Sequence, residues 1–356
     1  NLIEKIRNRS AMIGVIGMGY VGLPLALTLS TNKFRVIGVD INEEKIQTLK
    51  RGELTFAQKE PGLETLLGRV RMLYSCEFTC EYQRLQTTDV IIITVQTPLQ
   101  PTSLVPDYRV LWSAIKSVAA VISKHSLLVV QSTIAPLTSR DEICPMVEKL
   151  SHYRIGKDIF YAHVPERVMP GMMLASLKDL PRIIGANDVI SRDAARLLYE
   201  PITTGVIDLT DIITAEVAKT AENSHRFMEI QFANALALTC EKYGVSYQAI
   251  RRLANERSNV HLLQPGAGAG GHCIPKDPWL LVRNHHGSNL YRLFKEGVLI
   301  NKFMADHTIE LVKIGFKKAG VNIRKAHIAV LGVSYREGSD DVRSSPANAV
   351  ISGLTK

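Results

Sequence analysis

One stretch near the amino end restricts the possible folds more than any other. The β-branched run MIGVIG (12–17) leads straight into GMGYVG (17–22), and LPLALTLS follows. An apolar run of that length reads as a buried strand. The residues after Gly22 are good helix formers, with Pro24 in the first turn, where a proline loses no hydrogen bond. Each glycine has its own physical reason. Gly17 permits the tight turn, Gly19 lets backbone amides reach a pyrophosphate, and Gly22 lets the helix pack closely on the strand. Tyr20 and Val21 complete the turn at the positive end of the helix dipole, where phosphates sit. Asp40 lies 18 residues beyond Gly22, at the end of the next apolar run, RVIGVD. A carboxylate there accepts hydrogen bonds from an adenosine ribose and repels a 2′-phosphate, so the expected cofactor is NAD.

Further buried-strand runs follow at DVIIITV (89–95), LLVVQS (127–132) and IFYAHV (159–164), with helical stretches between most of them. This alternation predicts an α/β fold whose amino-terminal part, residues 1–208, is a Rossmann-like parallel sheet with helices on both faces. From Asp211 the chain runs to Gly244 without an internal Gly or Pro, which predicts one long helix with Gly244 near its C-cap. Residues 209–323 therefore form a central long-helix domain. KAHIAVLGVSY (325–335) reads as a fresh buried strand and 324–356 as the start of a second Rossmann-like domain, too short for a core of its own.

The formal charge of +9 comes from Lys and Arg residues spread along the chain without a dense basic run. That pattern argues against nucleic acid and for a small anionic substrate. The five cysteines are odd in number and scattered, which suits reduced thiols. No apolar run reaches transmembrane length and the amino end lacks a signal-peptide pattern, so the expectation is a cytoplasmic protein with no membrane partner. CEFTC (76–80) has no matching second ligand pair, and no metal site is expected.

Chemistry concentrates in a few places. Thr97 and Thr133 stand in loops at strand ends, where open α/β sheets bind ligands. On the long helix Lys219 and Asn223 are four apart and Arg226 three further on, so the trio shares one face. The neighbouring Ala218, Phe227, Ile230 and Phe232 imply a buried helix, and a buried lysine needs a reason. In GAGAGGHCIPKDPWLL (266–281), Cys273 follows four glycines, Gly266, Gly268, Gly270 and Gly271, that would let backbone N–H groups approach a reacting carbon.

Taken together and in order, GMGYVGLPLA, PERVMPG (165–171), AEVAKTAENSHRFMEIQFAN (215–234), GGHCIPKDPWLL and SDDVRSSPA (339–347) resemble the UDP-glucose/GDP-mannose dehydrogenase family across essentially the whole chain. PERVMPG and the cysteine motif are similar to the branch acting on UDP-N-acetylhexosamines. The resemblance implies oxidation of a sugar C6 alcohol to a carboxylate by two successive hydride transfers to NAD. UDP-N-acetyl-D-mannosamine is the expected substrate, and the product feeds a surface polysaccharide or glycan. It makes Cys273 the nucleophile that carries the thiohemiacetal and thioester. By the same resemblance Lys219 stabilises the oxyanion, Asn223 orients that oxygen and a water, and Asp277 and Glu166 join the catalytic set. Arg167, Val168, Arg226, Gly270, Tyr335 and Arg336 match substrate-contacting positions, to which Lys219 and Asn223 also belong. Arg343 matches an arginine that reaches NAD.

Some positions depart from the family pattern. Arg257, counted with the substrate contacts, and Asn259 stand where the branch commonly has histidine and arginine, and Arg336 replaces a lysine. The alternatives are the acetylglucosamine, acetylgalactosamine or glucose substrates, a two-electron dehydrogenase of the 3-hydroxyacid type, and a non-catalytic nucleotide-sugar-binding protein. The long helix, too large to be covered by so small a middle domain, predicts a homodimer.

Overall fold

The computed structural model describes residues 1–55, 60–73, 75–100, 103–169, 171–338 and 341–355. Pro170 of PERVMPG and Ser339 and Asp340 of SDDVRSSPA lie outside the described residues. The chain divides into two compact units, Asn1–Thr220 and Ala221–Lys356.

The first unit is built on eight strands: β1 (Met12–Ile16), β2 (Arg35–Val39), β3 (Cys76–Thr79), β4 (Val90–Ile93), β5 (Leu127–Val130), β6 (Phe160–His163), β7 (Arg182–Gly185) and β8 (Ile207–Thr210). They form one sheet in the order β3-β2-β1-β4-β5-β6-β7-β8. Pairing is parallel from β3 across to β6 and again between β7 and β8. The β6–β7 contact is antiparallel through His163 and Gly185. The strands read as unbroken apolar runs because both faces are covered. Val90, Ile92, Leu127 and Val129 enter one core with Leu23, Leu27, Leu67 and Leu198, whereas Ile91, Ile93, Leu128 and Val130 enter the other with Leu111, Ile115 and Val147.

The helices of this unit are α1 (Leu2–Arg7), α2 (Gly22–Thr31), α3 (Glu43–Arg51), α4 (Leu63–Leu73), α5 (Arg109–Ala119), α6 (Cys144–Ser151), α7 (Met173–Asp179) and α8 (Val189–Tyr199). Strand order reverses between β1 and β4, which opens a crevice at their carboxyl ends, the usual ligand position in open α/β sheets. All five strands read from apolar runs in this region are present. β3 (CEFT), β7 (RIIG) and β8 (IDLT) were not legible as such, because each carries a charged residue within its four positions and so lacks an unbroken apolar run.

Helix α9 (Ile212–Tyr243) begins in the first unit and ends in the second, one residue short of Gly244, whose φ of +66° stops it. The second unit adds α10 (Tyr247–Ala254), α11 (Asp277–Leu281), α12 (Asn289–Lys318) and α13 (Pro346–Leu354). Gly297 lets α12 lie against α9, since a Cβ there would fall 2.9 Å from Met228 Sδ and 3.0 Å from Phe227 Cε1.

The strand expected at 325–335 is a correction. Residues 326–333 are irregular, with no strand partner among the described residues, and Leu331 is 92 % exposed. An apolar run becomes a strand only when a neighbour accepts its ladder of hydrogen bonds. Phe232 is likewise 59 % exposed, against the expectation of a helix buried on several sides. No helix among the described residues is long and apolar enough to cross a membrane.

Candidate active site

In the first unit the glycine turn has the shape the spacing predicts. Gly17 has φ +95°, and a Cβ on Gly22 would lie 1.9 Å from the Gly17 carbonyl oxygen and 2.4 Å from Thr94 Oγ1. Thr94 locks the turn from β4, its hydroxyl donating to the carbonyls of Ile16 at 2.7 Å and Gly17 at 3.0 Å. A Cβ on Gly19 would meet nothing within 4 Å, so the backbone there is open to close approach. Val21, at the cap of α2, supplies no side-chain acceptor; Leu23 N donates to the Gly19 carbonyl at 3.2 Å and Pro24 has no N–H, so of the first three residues of that helix Gly22 offers its amide to a phosphate. Tyr20 is half-buried beside it.

Asp40 ends β2 and is buried. Its Oδ2 accepts from Met18 N and Lys45 Nζ, both at 2.8 Å, and Oδ1 accepts from Asn42 N at 2.9 Å. Oδ1 keeps acceptor capacity for a ribose hydroxyl. These residues fit a dinucleotide. Thr94 and Lys45 went unnoticed in the sequence, because nothing local distinguishes a strand-end threonine or the third residue of a helix.

The strand-end loops are held firmly. Thr97 donates to the Thr133 carbonyl at 2.6 Å, Ser132 donates to the Val95 carbonyl at 2.6 Å, and the Tyr108 hydroxyl accepts from Ala135 N at 2.7 Å. The same loop is bolted to α9, where fully buried Glu216 accepts from Leu137 N at 2.7 Å and Ser139 N at 2.9 Å. Burial raises the Glu216 carboxyl above its usual range, while the two amides pull it back. One turn on, Lys219 is 6 % exposed, and no carboxylate of the described residues pairs with it.

Glu166 is more constrained than a free acid or base. Its carboxylate accepts from Arg167 N at 2.8 Å, Val168 N at 3.0 Å and the Gln131 amide, and Arg182 NH1 lies 3.8 Å away. Arg182 is itself buried, donating to the Leu177 carbonyl at 3.0 Å and lying over the Tyr199 ring. Arg167 donates to the Pro181 carbonyl at 3.0 Å. Glu166 thus shapes the loop that presents Arg167 and Val168.

In the second unit the geometry brings Asn223 to Asp277 over 54 residues of sequence, with Nδ2 donating to Oδ2 at 2.5 Å. Lys276 Nζ stands 2.8 Å from Asp277 Oδ1, and both side chains are almost wholly buried. Exposed Cys273 is one turn away, its carbonyl accepting from Lys276 N at 3.1 Å and Asp277 N at 2.9 Å. Burial, with the nearby Lys276 and Arg343 charges, lowers the His272 pKa to about 4, so at neutral pH it is an uncharged imidazole.

Tyr335 lies against the glycines: a Cβ on Gly271 would fall 2.7 Å from Tyr335 Cζ, and one on Gly270 would fall 2.8 Å from both Tyr335 Cβ and the Ser344 carbonyl oxygen. Burial raises the Tyr335 phenol, and the Asp341 and Cys273 charges add to it. Arg343 is forked onto Asp341, with Nε to Oδ1 at 2.9 Å and NH2 to Oδ2 at 2.6 Å. Arg336 is half-buried. Arg226 and Arg257 are exposed, the former paired with Glu229 at 3.4 Å.

Comparison with known proteins gives matches along most of the chain. Residues 11–203 match the description "UDP-glucose/GDP-mannose dehydrogenase family, NAD binding domain", and residues 213–302 match the central domain of the same family. A UDP-N-acetyl-D-mannosamine dehydrogenase of Pyrococcus horikoshii is 38 % identical over 336 residues, covering 94 % of this chain and 78 % of that protein. A solved structure of the UDP-D-ManNAc dehydrogenase from that organism superposes with a TM-score of 0.90 at 36 % identity, over 97 % of this chain and 81 % of that one. The NDP-N-acetyl-D-galactosaminuronic acid dehydrogenase of Methanosarcina mazei Go1 gives a TM-score of 0.81 at 32 % identity, over 100 % and 80 %.

Proposed function

The chain belongs to the UDP-glucose/GDP-mannose dehydrogenase family, and from that premise we propose that it oxidises the C6 alcohol of a UDP-N-acetylhexosamine, UDP-N-acetyl-D-mannosamine foremost, to the uronate. It is an NAD-dependent UDP-sugar dehydrogenase. NAD, held by Gly17, Gly19, Tyr20, Val21, Gly22, Asp40, Thr97 and Thr133, supplies the hydride acceptor for each of two oxidations. In this reading Lys219 stabilises the alkoxide as the proton of the C6 hydroxyl leaves, and a hydrogen of C6 departs as hydride to give the aldehyde. The Cys273 sulfur bonds to C6 of the resulting aldehyde, giving a thiohemiacetal. Loss of a hydride and a proton leaves a thioester, and water cleaves the C–S bond to return the thiol and release a carboxylate. Asp277 takes the proton of that water, with Asn223 and Lys276 fixing its carboxylate. Glu166 acts by shaping the loop of Arg167 and Val168. Arg226, Arg257, Gly270, Tyr335 and Arg336 receive the nucleotide sugar, and Arg343 meets the cofactor.

We assign NAD binding to residues 1–208, catalysis and dimer formation to 209–323, and sugar-nucleotide contacts to 324–356. A cytoplasmic site of action accords with the NAD requirement and a reduced, reactive thiol. The observation that carries the reading is the exposed Cys273 thiol one helical turn from a buried Asp277 held by Lys276 and Asn223. NADH formed per sugar consumed tests it, with UDP-N-acetylmannosamine, UDP-N-acetylglucosamine, UDP-N-acetylgalactosamine and UDP-glucose in parallel. Two NADH and an acidic product are expected, with turnover lost in Cys273→Ser; one NADH per sugar, or a Cys273→Ser enzyme with unchanged yield, refutes the thioester route.

A further inference from the structure

The glycines before Cys273 are gripped from behind. Asn301, on α12, makes a two-way pair with one residue of the loop: its Oδ1 accepts from Ala269 N at 2.6 Å and its Nδ2 donates to the Ala269 carbonyl at 3.1 Å. Gln231 of α9 donates to the same Oδ1 at 3.0 Å, which fixes the orientation of the Asn301 amide. Asn234 donates to Gln231 Oε1 at 3.5 Å and accepts from Gly266 N at 2.9 Å. Gln231 and Asn234 are fully buried, and Ala269 is 8 % exposed.

Three amides on two helices therefore hold the loop at Gly266 and at Ala269. Gly268, between them, has φ +129°, and a Cβ there would fall 3.0 Å from the Asn301 carbonyl oxygen. Beyond Ala269 the backbone stays fixed to the cysteine. Gly271 N donates to the Arg343 carbonyl at 2.9 Å, Tyr335 covers Gly270 and Gly271, and the Cys273 carbonyl caps α11.

Resting on the reading of Cys273 as nucleophile, we propose that Asn301, backed by Gln231 and Asn234, is a positioning residue that sets where the Cys273 thiol stands. An uncharged amide suits this task because its planar head carries a donor and an acceptor side by side, one for the peptide carbonyl and one for the peptide N–H. Without it, the amide and carbonyl of Ala269 lose their partners at a buried position. The relay acts through the loop and takes no part in bond making.

The test compares Asn301→Asp and Asn301→Ala with the parent enzyme. Asn301→Asp keeps the acceptor for Ala269 N but turns an oxygen toward the Ala269 carbonyl. Two quantities are read: kcat with KM for the UDP-sugar, and the pH profile of Cys273 alkylation by iodoacetamide, followed by peptide mass mapping so that the other cysteines do not interfere. The expected result is kcat lowered roughly tenfold or more with KM changed less than about threefold, and an alkylation midpoint moved by about half a pH unit or more. Folded variants with kcat and the alkylation profile both unchanged overturn the proposal. If both Asn301 variants fail to fold, Asn234→Ser, which releases only Gly266, is read in the same two ways and decides. Cys273→Ser run alongside separates the questions: if that variant keeps full turnover, the nucleophile reading fails, whereas its inactivity together with unperturbed Asn301 variants defeats the relay alone.

Discussion

Gly22 shows how little room a single side chain has at the cofactor turn. An added methyl would press on the Gly17 carbonyl and the Thr94 hydroxyl, both fixed by the sheet, so the turn itself must yield. Gly22→Ala is expected to weaken NAD binding by about 100-fold or more in calorimetric titration, a loss of roughly 3 kcal/mol; an unchanged affinity would show that the turn is not the phosphate site. The glycines before Cys273 have a second reason beside the one their sequence suggests. Gly268, Gly270 and Gly271 press against Asn301, Ser344 and Tyr335, so close packing by itself already requires small residues at these positions. Local spacing named the cysteine but not what its neighbours touch, because those contacts come from residues 32 or more positions away. Lys276 and Glu216 were hidden for the same cause: a lysine beside an aspartate and a glutamate on a helix are ordinary surface residues until tertiary packing buries them.

At the scale of elements, β6 carries an acid-sensitive group into the core. Burial lowers the pKa of His163 to about 4, and the side chain is fully buried at the join of β6 with β7. The unfolded chain takes up this proton near pH ~6.5, its ordinary value, and the folded chain only near 4. The contribution to stability is therefore full above about 6.5 and is lost as pH falls toward 4, a change of about 3 kcal/mol when complete. Urea unfolding at pH 7 and pH 5 should show parent stability falling with acid, and His163→Leu should lose less; equal losses in both proteins would assign the acid sensitivity elsewhere. His272 titrates in the same direction, so the variant keeps part of the slope. The long helix was legible to within a residue at each end, since Gly244 and the absence of an internal breaker are local facts. The run at 326–333 was not, because its partner strand is not a property of the run.

For the whole molecule, the apolar side chains left outside suggest its assembly. Leu299, Phe303, Leu311 and Ile314 follow one another along α12 at spacings that share a face, and each is 46 to 53 % exposed. Such a stripe is covered in a stable protein more often than left wet. Light scattering is expected to give twice the chain mass of 39.5 kDa, and Phe303→Asp to halve it; a parent that scatters as a monomer ends the dimer proposal. The sequence by itself determined the α/β class, the dinucleotide turn with its Asp40, the long helix and the cysteine loop. Each of these rests on periodicity, on backbone conformations only glycine adopts freely, or on residues at fixed short spacing. Only the tertiary structure decided that Glu166 is tied down by Gln131 and Arg182, that Asp277 meets Asn223 and Lys276, and that Asn301 grips Ala269. Those contacts join residues far apart in the chain, and their strength comes from a burial that no local window of sequence contains.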